Sequence, residues 1–396
     1  MLRQSNLPAG IEPNAEREQI ATSVQVICDR FDDDFWLEKD QKNEFPSEFH
    51  AAMAESGWLG ITMPTEYGGA GLGVTEAALM MHTVGQSGGV FAACSSIHIN
   101  LFGPHAIIKY GTSEQKSRWI SRLVSGQDKV AFGVTEPDAG LDTTKIKTRA
   151  IQRGSDYVIS GTKVWMSTAQ HANKMLLVTR TTPIEDCANP TDGMTLFYVD
   201  LDREYVEVRG IEKMGRGAVD SNLVFIDGLV VPDADRIGTE GEGFRMLLDT
   251  LNPERILIAA EAIGIGRRAL DKAVNYANER KVFGRLIGQN QSIQHPLAES
   301  WMALEAANLM VWRAAKLYDE DQPCGAEANA AKFLAADAAY EACDRAVRTH
   351  GGFGYAKEYH VERYLREIMI PRIAPVSREL IMCYIAEKVL GLPRSY

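Results

Sequence analysis

Apolar and polar positions change period twice along the chain, and those changes predict its elements. Up to about residue 125 the spacing is helical. Residues 48–56 and 75–86 repeat apolar side chains on one face and show no strand-like alternation. Between them, Pro64-Thr65-Glu66-Tyr67-Gly68-Gly69-Ala70-Gly71-Leu72-Gly73 carries enough glycine to break either period and reads as a connecting loop. It lacks the Lys-Ser/Thr ending of a phosphate-binding P-loop. From about 126 to 235 short β-branched and aromatic runs take over, at 157–160, 175–179, 195–199, 206–208 and 223–226. Turn residues such as Gly154-Ser155-Asp156 and Pro190-Thr191-Asp192-Gly193 separate them. No helical crossover intervenes, so the runs predict an antiparallel barrel or sandwich rather than a parallel sheet. From about 241 the chain is Ala-rich and helical again, with long stretches at 254–281, 291–318 and 326–350 that suit a bundle. The prediction is an α+β fold in three parts: an N-terminal helical domain (1–125), a middle antiparallel β-domain (126–240) and a C-terminal four-helix-bundle domain (241–396).

Composition narrows the class. The chain has 396 residues, 45% hydrophobic and 24% charged, which excludes collagen-like, coiled-coil and largely disordered proteins. Its length exceeds one small core. No apolar run of about 18 residues is evident, so no membrane span is expected. The net charge of −11 argues against nucleic acid or anionic lipid as partner, since such binders present basic surfaces. Cysteines 28, 94, 187, 324, 343 and 383 form no CxxC pair and read as buried thiols. The eight histidines show no metal-ligand spacing, so no metal is expected. The N-terminal segment lacks an apolar secretory core and carries acids, which leaves a cytoplasmic location by default.

One motif misleads. Gly264-Ile265-Gly266-Arg267-Arg268-Ala269 matches the G-x-G-x-x-A of dinucleotide-binding folds. That fingerprint needs a preceding strand and an acid about 20 residues on. Here the preceding run is Ala-rich with helical spacing, and residues 282–292 hold no acid. The glycines are read as sites of close helix–helix packing.

Four further motifs occur in order: Val134-Thr135-Glu136-Pro137-Asp138-Ala139-Gly140, Lys163-Val164-Trp165-Met166-Ser167, Glu279-Arg280-Lys281-Val282-Phe283-Gly284 and His350-Gly351-Gly352-Phe353-Gly354-Tyr355. Together they resemble the acyl-CoA dehydrogenase flavoprotein family over nearly the whole chain. The resemblance implies a non-covalent FAD, a homotetramer built as a dimer of dimers, an acyl-CoA substrate and an electron-transfer flavoprotein as acceptor. It implies flavin contacts from Phe132, Val134, Thr135, Gly140, Trp165 and Ser167. Arg280, Phe283, Arg348, Gly351 and Gly352 would reach the dinucleotide of a neighbouring subunit, and Ser377 and Glu379 would lie on the cofactor side. A flat, partly apolar ring wants an aromatic wall, its polar edge wants N–H and hydroxyl donors, and a pyrophosphate wants a forked cation. Each residue also has a plain role: Trp165 in a core, Arg280 in a surface ion pair, the glycine pair as a helix cap.

The family reaction takes the α-proton of an acyl thioester while the β-hydrogen leaves as hydride. Many members place the carboxylate base in an aromatic-Glu-Gly-Thr segment. The matching stretch here is Arg372-Ile373-Ala374-Pro375-Val376-Ser377-Arg378-Glu379, with Pro375 at the glutamate's place. Isovaleryl- and long-chain-type members supply the base from a bundle helix instead, and Glu254 in Leu251-Asn252-Pro253-Glu254-Arg255 matches that position. Asn252 and Arg255 are carried over on the substrate side. The plain role for Glu254 is a first-turn acid, with Pro253 beginning the helix. Proline also lacks the N–H usually offered to the thioester oxygen; either Ala374 fills the role or a flavin hydroxyl acts with less help. Glu261, seven residues after Glu254, lies about 20° away around a helix. It either faces the acyl pocket, favouring a polar tail, or forms a bundle salt bridge with Arg267 or Arg268, the preferred reading. Leu141 replaces a common serine. Displacement of the usual base leaves two alternatives: altered chemistry on the same fold (an oxidase or desulfinase-type lyase), or a non-catalytic flavin-binding relative.

Overall fold

The computed structural model describes residues 7–395. The N-terminal part is helical: α1 (Ala15–Cys28), α2 (Asp33–Lys42), α3 (Ser47–Glu55), α4 (Val74–Gly85), α5 (Val90–Phe102), α6 (His105–Tyr110) and α7 (Ser113–Val124). Polar side chains set several starts. Asn14, Asp32 and Thr112 accept from Arg17, Phe35 and Gln115 backbone N–H groups, satisfying donors that a helix leaves open. Every residue of α4 and α5 is buried. This resolves the membrane question in an unexpected way. Residues Val90–Tyr110 are long and apolar enough to span by length and composition alone, with mean hydropathy 1.2. They are 89% buried inside the protein and serve as core helix, with Gly103 and Pro104 between α5 and α6.

The middle part forms a sheet ordered β6 (Val206–Gly210), β7 (Ser221–Pro232), β3 (Asp156–Ser167), β2 (Arg149–Arg153), β4 (Lys174–Arg180), β5 (Met194–Asp200) and β8 (Arg236–Ile237). The added β1 (Val130–Gly133) pairs with β4 in parallel, Phe132 opposite Leu176. The remaining pairs are antiparallel apart from one parallel contact, Arg149 with Arg180. The parallel strand departs from the antiparallel expectation because β1 enters directly from α7 and not through a hairpin. β4 is buried on both faces. Leu176 and Val178 join the helical core, whereas Met175 and Leu177 join a second core with Phe197 and Val199. Double-sided burial explains why β4 and β5 read as continuous apolar runs instead of alternating ones.

The C-terminal part holds α8 (Gly243–Glu279), a small hairpin of β9 (Lys281–Val282) and β10 (Arg285–Leu286), α9 (Gln291–Asp319) and α10 (Gly325–His350). In place of a fourth long helix come α11 (Val361–Glu367), α12 (Met369–Ile373) and α13 (Arg378–Tyr384). The N-terminal α4 packs on α8 and α9. Helix α8 begins well before Pro253, which therefore lies inside it. Pro253 forfeits one backbone bond, yet buried Met246 and Leu247 anchor the preceding turns. Glu254 is thus about three turns in, and the first-turn role does not apply.

The false dinucleotide glycines act in packing. A Cβ on Gly264 would stand 2.3 Å from the His82 carbonyl and 2.8 Å from the Gln86 nitrogen, both in or beside α4. One on Gly266 would meet Leu304 at 2.6 Å and Ala339 at 3.0 Å. Gly264→Val therefore forces two backbones apart. It should lower stability by about 3 kcal/mol, read as a fall in urea midpoint with unchanged slope; wild-type stability would contradict the contact.

Candidate active site

A buried ion pair builds the first wall. Lys163 of β3 is fully buried, and its Nζ donates to Glu136 Oε1 at 2.9 Å and to the Val134 carbonyl at 3.0 Å. Glu136 also accepts from the Lys147 and Thr148 backbone N–H groups. Glu136 and Ala139 exchange backbone hydrogen bonds across a tight turn, and Val164 N–H donates to the Thr135 carbonyl. Residues 134–140 are thereby clamped to β3. Burial alone would push the Glu136 pKa up, but Lys163 and the hydrogen bonds hold it below its usual value. Burial brings Lys163 down to about 8.

The β3–β7 register slips between Lys163 and Met166. This bulge holds Trp165 at φ 61° and turns its indole outward, 59% exposed. A core role for Trp165 is thereby excluded. Leu141 is 62% exposed, Phe132, Val134 and Thr135 are half-buried, and Gly140 is exposed. The half-buried Ser167 accepts from Arg216 Nη2 at 3.0 Å.

A second set of candidate residues lies on α8. Glu254 is 7% exposed, and burial raises its pKa to about 7 against the opposing pull of Arg255 and Lys332. Arg255 donates to Asn252 Oδ1 at 3.0 Å, while its Nε has no partner among the described residues. Lys332, buried on α10, donates to the Val376 carbonyl. That bond ties α10 to the segment carrying Pro375. The Ala374 N–H donates to the Ile370 carbonyl at 2.9 Å. It is therefore spent, and the idea that it replaces the donor missing at Pro375 is corrected. Ser377 caps α13 by accepting from Leu380 N–H. Glu379 is exposed, its pKa held low chiefly by its own backbone N–H.

Glu261 proves to be something else. It is fully buried and bonds His98 Nδ1 of α5 at 3.0 Å. Arg267 instead pairs with Glu305, and Arg268 with Asp33, so the expected bundle salt bridge is corrected. His98 was invisible in sequence because α5 reaches α8 only through the tertiary fold.

The remaining predicted residues lie elsewhere. Arg280 follows the C-terminus of α8, roughly 39 Å from Glu254 at the α-helical rise. Arg280 stacks over Phe353, 5.5 Å from its centroid, and Phe283 projects fully into solvent at φ 50°. Gly351 caps α10 at φ 61°, so the cap role holds, and it and Gly352 are exposed. Arg348 pairs with Asp344 at 2.5 Å. Within one chain, Arg280 and the Phe353 beside it thus lie at the far end of α8 from Glu254. Sequence reading also passed over Arg216, whose position between Gly215 and Gly217 was the available signal. All six cysteines are free. No group of metal-ligating side chains occurs among the described residues.

The fold is thus helix–sheet–helix, with an outward indole on the sheet and a desolvated carboxylate on a bundle helix. Three family models match: the acyl-CoA dehydrogenase N-terminal domain over 14–127, middle domain over 131–229 and C-terminal domain over 241–390. Acyl-CoA dehydrogenase FadE12 of Mycobacterium tuberculosis is 37% identical, covering 96% of this chain and 97% of that protein. The caffeyl-CoA reductase-Etf complex subunit CarC of Acetobacterium woodii is 34% identical over 84% of this chain and 87% of its own. The structure of butyryl-CoA dehydrogenase from Megasphaera elsdenii superposes with TM-score 0.91 at 26% identity, covering 96% of this chain and 99% of that one. The chain belongs to the acyl-CoA dehydrogenase family and is an oxidoreductase acting on CH–CH groups.

The clamp has a direct test. Lys163→Met orphans a buried carboxylate and should cost about 3–5 kcal/mol. Adding Glu136→Gln should recover part of that loss, because it removes the buried charge and keeps an acceptor for one of the two backbone N–H groups. Denaturation midpoints of the single and double variants decide it.

Proposed function

We propose that this protein binds FAD and dehydrogenates an acyl-CoA thioester to its trans-2-enoyl-CoA, with Glu254 as the base. The observation that carries the reading is a carboxylate buried in α8 with its pKa raised to about 7. An α-C–H beside a thioester is a weak acid, and a carboxylate in water is too weak a base for it. Desolvation brings the base toward its task while leaving much of it ionised at neutral pH. Glu379, exposed and held low, lacks that property.

The residues fit FAD. Trp165 offers an aromatic wall from the bulge, and Ser167 has a hydroxyl proton that no described residue accepts. FAD when bound would supply the hydride acceptor. Glu254 would take the α-proton onto a carboxylate oxygen. Arg255 and Asn252 would orient the thioester's carrier. Neither Pro375 nor Ala374 offers a free N–H, so polarisation of the thioester oxygen would fall to other donors. The separation of Glu254 from Arg280 along α8 supports a site shared by two copies, to which Arg280, Phe283, Arg348, Gly351 and Gly352 would contribute from the partner, within a dimer-of-dimers tetramer. An electron-transfer flavoprotein as acceptor and a cytoplasmic location complete the reading.

A second direction has its own support, since the related CarC is named as a subunit of a reductase-Etf complex. Run backwards, neutral Glu254 would return the α-proton. The pH profile separates the two. Dehydrogenation needs the ionised form, so kcat/KM should rise about tenfold per pH unit below pH 7 and level off above it. Reduction would show the mirror image, falling above about pH 7. Anaerobic bleaching of the flavin by a panel of acyl-CoAs tests the base itself. Glu254→Gln should slow it by about 10²–10⁴-fold. Bleaching at wild-type rate in that variant reassigns the base.

A further inference from the structure

Arg216 stands where three costs meet. It lies between Gly215 and Gly217 with φ 59°, a region that disfavours any residue carrying a Cβ. It is only 6% exposed, and its Nε finds no acceptor among the described residues. No described carboxylate bonds it directly, and Glu367, Asp220 and Glu261 balance its charge only through space. Its other donors reach three serine hydroxyls. Nη1 donates to Ser95 of α5 at 3.1 Å, and Nη2 donates to Ser167 at 3.0 Å and Ser221 at 2.7 Å. Ser167 and Ser221 face each other across β3 and β7. An apolar side chain would avoid these costs, so the arrangement points to a function.

Hydrogen-bond accounting says which one. A guanidinium only donates. The Ser167 oxygen therefore accepts from Arg216, and its proton must go elsewhere. No described residue takes it, and Ser167 is half-buried two positions from the outward Trp165. Arg216 thus locks Ser167 as a donor toward the face that Trp165 walls.

We infer that Arg216 is the positioning residue that fixes Ser167 as a hydrogen-bond donor to the flavin ring and sets a buried positive charge behind that contact, favouring the reduced cofactor. The inference rests on the FAD reading above. In the balanced step, hydride carries its electron pair to the ring, which becomes one charge more negative. The α-proton neutralises Glu254, and the substrate leaves uncharged at the new double bond. A buried cation and a fixed donor interact more strongly with the more negative ring.

The test is the midpoint potential of the FAD-loaded full-length protein, poised anaerobically against reference dyes. Arg216→Gln should disfavour two-electron reduction by about tenfold, a fall of about 30 mV for this couple. Ser167→Ala should move the potential the same way by less, and Arg216→Lys, which keeps the charge, should stay nearer wild type than Arg216→Gln. An unchanged potential in Arg216→Gln overturns the inference. Should that variant not fold, Ser167→Ala at the wild-type potential overturns it equally. Wild-type protein that retains no FAD would instead sink the flavoprotein reading, whereas wild type that holds FAD and bleaches with acyl-CoA confines any failure to Arg216.

Discussion

The approach of α4 to α8 governs the rest of the molecule. At Gly85 and Gly264 the two helices come so close that a Cβ on either would overlap the other's backbone. That contact sets the rotation and depth of α8, and α8 carries both Glu254 and Glu261. With any larger residue at these points the helix would ride outward, and water would reach the carboxylates. Glu254 lies about three turns before that contact on the same helix, and burial is what raises its pKa.

Buried charge is handled in distinct ways around the site. Lys163 and Glu136 neutralise each other at 2.9 Å and clamp a loop. Glu261 leans on His98. Among the described residues Arg216 hydrogen-bonds only neutral serine hydroxyls through its side chain and relies on carboxylates through space. Among the described residues Glu254 has no hydrogen-bonded ion partner, and Arg255 and Lys332 offset only part of its desolvation. The groups with satisfied partners read as scaffold. Those with incomplete partners are where a ligand has something to add, because an unmade bond in a low-dielectric site is costly until a ligand makes it.

Two departures from the family pattern belong together. Pro375 stands where a base and a backbone donor are usual, and the neighbouring Ala374 N–H is already committed to Ile370. The buried carboxylate Glu254 lies on another helix, and the segment around Pro375 offers no free N–H in the donor's place. Under the proposed function Glu254 would be the proton acceptor, and the thioester-oxygen side would differ from the usual arrangement.

Order of elements, the helical nature of the ends, most of the strands and the four motifs were legible in the chain, because period and turn residues are local properties. So were the packing role of Gly264 and the candidacy of Glu254. The parallel placement of β1, the start of α8 before Pro253, the His98 partner of Glu261 and the serine cage of Arg216 were not. Each of these joins residues far apart in sequence, or lets tertiary burial override a local stop signal. The sequence by itself determined which side chains were present and on which kind of element. Only the tertiary structure decided which of them lost their water, and with it which charges were held, shifted or left waiting for a partner, since desolvation depends on what packs around a group and not on its neighbours along the chain.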